Sequence, residues 1–76
     1  MSYYLMHSSK VESAFASDCP RIINDQLKLE TYINRVIQKA RKRTNYVSSS
    51  LENDKLIIKV AKDLFTEVEK IVIQRN

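Results

Sequence analysis

The chain has 76 residues, a formal charge of +4 and an isoelectric point near 9.4, which limits it to one small domain, 1–76, and favours anionic partners over cationic ones. With no glycine, one proline, one cysteine and one histidine, it excludes a glycine-rich phosphate loop, an internal disulfide and an intrachain Cys/His zinc set. The lone thiol, Cys19, implies a reducing, cytoplasmic setting, and no run approaches the roughly 18 apolar residues of a membrane span.

Residues 1–8 lack the basic and long apolar regions of a signal peptide and are expected to be flexible or extended. From Ser9 to about Ala16 the pattern predicts a short helix, with Ser9 and Glu12 as a capping box and Val11 and Phe15 as an apolar pair one turn apart. Pro20 then marks a boundary, since proline suits the first turn of a helix and breaks its interior. A long amphipathic helix is predicted over residues 20–43, capped by Asp18 or Cys19. Its stripe consists of Ile22, Ile23, Leu27, Leu29, Ile33, Val36, Ile37 and Ala40.

The segment Thr44–Ser48 carries cap-forming and β-branched residues suited to a connection, with Asn45 as the candidate for a left-handed position. Ser49 and Glu52 match a second capping box. A second long helix follows over residues 50–73, because Leu51, Ile58, Phe65 and Val72 stand seven apart, as do Ile57, Leu64 and Ile71, with Ala61 and Val68 beside them. The absence of glycine argues in the same direction, against hairpin turns that need positive φ. The expected fold is therefore all-α: an antiparallel helical hairpin, coiled-coil-like, with a short N-terminal helix that folds over one end or stays mobile until a partner arrives.

Charge is concentrated in the first long helix. Residues 20–46 carry a net charge of +5, against −1 before them and zero after them, and the excess peaks at Lys39, Arg41, Lys42 and Arg43. These cations complement the negative end of a helix dipole. They also make a candidate anion or nucleic-acid site, with Tyr46 available to stack on a base. Catalysis is not expected. His7 and Cys19 lie on short segments with no scaffold to hold them together, and Glu52 and Asp54 are explained by dipole compensation. No catalytic residue, metal or cofactor is assigned.

The widest apolar face, Ile57, Ile58, Ala61, Leu64, Phe65, Val68 and Val72, exceeds what one antiparallel neighbour covers, which makes it the candidate protein-binding surface. A second copy of the chain or another helical protein would satisfy it, and so would Val11 and Phe15 of the short helix, closing the gap within a self-sufficient three-helix arrangement. The stripes Ile22–Ala40 and Leu51–Val72, with a short polar connection between them, resemble the small co-chaperones that hold needle subunits of bacterial type III secretion systems in the cytoplasm. The resemblance implies that the second helix docks on a larger helical-repeat chaperone and prevents premature needle assembly, a virulence function. Adaptor or co-chaperone is thus the leading expectation. A small nucleic-acid-associated regulator using the basic helix tip, or a small inhibitor of a protein target, is the alternative.

Overall fold

The computed structural model describes residues 2–15 and 21–75. Its elements are β1 (Tyr3–His7), α1 (Ser9–Phe15), β2 (Ile22–Ile23), α2 (Gln26–Arg43), β3 (Val47–Glu52), β4 (Lys55–Val60) and β5 (Glu69–Arg75). The five strands form one antiparallel sheet in the order β2-β1-β5-β4-β3. Both helices pack on one face of it and share a single core with it.

This two-layer α/β architecture overturns the all-α hairpin and its coiled coil. The helix expected over 50–73 is instead the second half of β3, all of β4, the loop over residues 61–68 and most of β5. Within each strand the decisive period is two: Leu56, Ile58 and Val60 face the helices while Lys55, Ile57 and Lys59 face away, and Ile71 and Ile73 alternate with Lys70, Val72 and Gln74 in the same way. Both segments are dense in β-branched residues, which fit a pleated surface better than a helix. The seven-residue spacing of Leu51, Ile58, Phe65 and Val72 is a coincidence of strand and turn lengths, since the four fall in β3, β4, the β4–β5 loop and β5.

Glycine proves dispensable because other residues take positive φ. Asn53 (φ 49°) and Asp54 (φ 63°) form the two-residue turn between β3 and β4, where consecutive positive φ values match the twist of a hairpin and side-chain amides and carboxylates tolerate them best. Ala61 (φ 29°) is the third. It ends β4, is fully buried, and donates its N–H to the Tyr46 carbonyl at 2.9 Å. Asn45 has no positive φ; α2 ends instead on Thr44, in extended conformation, whose N–H reaches the Ala40 carbonyl and whose hydroxyl accepts from the Tyr46 N–H.

Of the long helix expected over 20–43, residues 26–43 are helical. Ile22 and Ile23 form β2, and the cap is Asp25, whose carboxylate accepts from the N–H groups of Leu27 (2.8 Å) and Lys28 (3.5 Å). The assignments to Asp18, Cys19 and Pro20 lie outside the described residues. The short helix is present as α1, but the capping residue is Ser8 and not Ser9: the Ser8 hydroxyl accepts from the Val11 N–H at 3.3 Å and donates to Glu69 at 2.6 Å. Residues 3–7, given no helix from sequence, form β1 inside the sheet between β2 and β5.

The path of α2 sets the shape of the core. It leaves β2 at one edge of the sheet and delivers the chain to β3 at the other. Four strand spacings of about 4.8 Å are crossed by a helix about 27 Å long. Leu29, Tyr32, Val36 and Ala40 are its buried stripe. This diagonal leaves a corner of the sheet on each side. One corner, where β1 ends and β5 begins, is filled by α1: Val11 and Phe15 are buried, Phe15 meets Phe65 edge-to-face at 6.1 Å, and Arg43 donates to the Ala14 carbonyl at 2.9 Å. The opposite corner, at the β3–β4 turn, has no such cover, and Leu51 there is 75% exposed.

Candidate interaction surfaces

An antiparallel sheet covered on one side is expected to alternate apolar-in and polar-out. The inner half of this rule holds, with Leu5, Ile23, Ile58, Val60, Ile71 and Ile73 all buried. The outer half fails over the middle of the sheet. Met6 stands opposite Val72 and Val72 opposite Ile57, so one apolar row crosses β1, β5 and β4. Tyr4, paired with Ile22, extends the patch toward the β2 edge.

Ile22, Met6 and Tyr4 are 51%, 44% and 39% exposed, and Ile57 and Val72 are half-buried. The resulting patch is on the order of 300 Å², the size at which contiguous apolar surface marks an interaction site on a small protein. Its rim is cationic. Lys59 and Lys70 stand directly opposite one another, while Lys55, further along β4, stands opposite Glu52 of β3. Like charges facing across strands disfavour the pairing, and an acidic group placed over them would relieve the repulsion.

A second cationic surface lies on α2. At about 100° per residue, Lys28, Arg35, Lys39 and Lys42 fall within an arc of about 60°, and no ion pair involves them among the described residues. The four adjacent cations predicted as one patch are divided by the helix. Arg41 emerges on the other flank, in line with Glu30. Arg43 is already occupied: besides its bond to Ala14, its guanidinium lies 5.8 Å from the centre of the Phe15 ring. Tyr46 is exposed just beyond the helix. Lys28 and Arg35 lie outside the patch predicted from sequence, although Lys28, Arg35 and Lys42 follow one another at seven-residue intervals, which carries the signal.

The residues predicted as one protein-binding face are dispersed. Ile58 and Ala61 are fully buried in the core. Leu64, Phe65 and Val68 belong to the loop over residues 61–68, where Leu64 is exposed and Phe65 packs on the core. Only Ile57 and Val72 come together at the surface, on the open face of the sheet. The members sequence reasoning missed, Tyr4, Met6 and Ile22, lie in β1 and β2, where the sequence pattern predicts no strand.

A shallow cleft of about 340 Å³ is lined by Tyr3, Asn24, Gln26 and Arg75. Among the described residues no group of three His, Cys, Asp or Glu side chains could hold a metal ion, and no helix is long and apolar enough to cross a membrane. The fold and these surfaces define a small two-layer α/β protein with an open, partly apolar sheet. Compared with protein-family models, curated proteins and solved structures, the chain matches none. The resemblance to type III secretion co-chaperones is corrected accordingly: it rested on a helical hairpin, and half of that hairpin is sheet.

Proposed function

We propose that the chain is a non-catalytic protein-interaction module, acting in the cytoplasm, that docks its partner on the open face of the sheet. The observation carrying this reading is the apolar row Met6–Val72–Ile57 with Tyr4 and Ile22 beside it, where a water-facing sheet would be polar. The lysine rim selects a partner whose contact surface is apolar at its centre and acidic at its border. Quantitative affinity capture with the wild type and with Met6→Asp and Lys59→Glu/Lys70→Glu variants tests it. A partner that is recovered by the wild type and lost with both variants supports the reading. Equal recovery by all three removes it.

The cationic flank of α2 favours a second reading, binding of nucleic acid through phosphates. Contacts from Lys28, Arg35, Lys39 and Lys42 give a log–log salt slope of about −3.6 on duplex DNA, and Lys39→Ala/Lys42→Ala reduces it to about −1.8. Absence of binding at low salt, or a slope indifferent to this substitution, sinks this reading and leaves the first untouched.

A further inference from the structure

The two edges of the sheet are protected unequally. At one edge β2 offers only two residues. At the other, β3 offers six, Val47–Glu52, with no proline, no lysine and no positive φ before Asn53, although such devices are what normally block an edge from pairing. Because Ala61 donates to Tyr46, the pairs in phase with them, Ser48/Lys59, Ser50/Ile57 and Glu52/Lys55, exchange the ladder bonds with β4. The N–H and C=O groups of Val47, Ser49 and Leu51 therefore point to the free edge. Their side chains lie on the helix-bearing face, where Leu51 occupies the uncovered corner.

We propose that β3 pairs antiparallel with β3 of a second copy, forming a two-fold dimer with one continuous sheet, centred on Ser49 opposite Ser49. Only this register engages all three outward-pointing residues. A shift of two residues in either direction sets Val47 against Asn53 in the turn, or Leu51 against Asn45 outside the strand. At the central register Leu51 faces Val47 of the second copy, so the end of that copy's α2 comes over the vacant corner.

Charge selects the same arrangement. The N-terminal end of β3 follows Arg41 and Lys42, and its C-terminal end carries Glu52 and Asp54 against the single cation Lys55, a net negative turn. Antiparallel self-pairing sets each cationic end beside the other copy's acidic turn, whereas parallel pairing would set like beside like. A single chain thus supplies the strand, the apolar cover and the complementary charge. The open faces of the two sheets end on one side, which doubles the surface described above without depending on its use.

Sedimentation equilibrium over a dilution series, without any partner or nucleic acid, is the test. The wild type is expected at twice its 8.9 kDa chain mass. Leu51→Lys, at a site too exposed to affect the fold, returns it to monomer. Ser49→Pro does the same by deleting an edge-facing N–H that the β4 ladder does not use. Met6→Asp, on the open face, leaves the dimer intact. A wild type that is monomeric throughout the series, or a dimer that survives Leu51→Lys, overturns the proposal.

Discussion

Ile57 and Ile58 provide a direct test of the architecture, because a helix face would hold both while a strand separates them. Ile58 is fully buried, with Ser49 and Ile71 as cross-strand neighbours; Ile57 lies between Ser50 and Val72 on the open face. Threonine replaces either without losing β-branching, so strand propensity is held constant and burial alone differs. Ile58→Thr forfeits most of a buried side chain's transfer energy and places a hydroxyl in an apolar core, a cost of about 3 kcal/mol. Ile57→Thr costs less than about 1 kcal/mol. A domain of this size has a total stability of roughly 4–11 kcal/mol. With a urea m-value near 1 kcal/mol/M, the midpoint falls by about 3 M for Ile58→Thr and by less than about 1 M for Ile57→Thr. Urea titration followed by far-UV circular dichroism measures both. Equal losses for the two variants would refute the opposite-face placement.

Three further outcomes follow from local geometry. Arg43→Ala loses the bond to the Ala14 carbonyl and the contact with Phe15, lowering stability by about 1 kcal/mol, while Arg41→Ala stays within about 0.5 kcal/mol; matched urea midpoints would contradict the distinction between them. Ala61→Val forces a branched side chain into positive φ at a fully buried site and is expected to destabilise by more than about 3 kcal/mol, read as a loss of cooperative thermal unfolding. Asp54→Gly removes the left-handed penalty in the β3–β4 turn and raises stability by up to about 1 kcal/mol. Asp54→Val lowers it, and the same sign for both would argue against the turn.

The helical half of the fold was legible because its residues obey one period. Leu29, Val36 and Ala40 recur at helical spacing, and the stop at Arg43 is where α2 ends. The sheet was illegible for two physical reasons. Short strands joined by short turns can imitate a heptad, as Leu51, Ile58, Phe65 and Val72 do, so spacing between elements masqueraded as spacing within one. Absence of glycine excludes only turns that other residues cannot make, and Asn53-Asp54 makes this one. The contrary signal was present in the β-branched runs Leu56–Val60 and Ile71–Ile73. In sequence the basic patch is a string of neighbours; on a helix, adjacency in sequence scatters side chains around the axis, so Lys42 aligns with Arg35 and not with Arg41.

The open face has a consequence for separating folding from binding. Tyr4, Met6, Ile22, Ile57 and Val72 contribute no member of the buried core, which is built from the inner-face residues, the two helices, and Ala61 with Phe65 of the β4–β5 loop. Threonine at Met6 and Ile22 would retain strand propensity, remove exposed apolar area and leave every inner contact in place. Such a variant is expected to fold with nearly unchanged stability and to be more soluble. The surplus apolar area is therefore not a requirement of the sheet, because a polar face would serve the monomer equally well. Its placement across four adjacent strands, beside paired lysines whose repulsion an acidic group would relieve, is what the proposed docking surface requires and what folding alone does not.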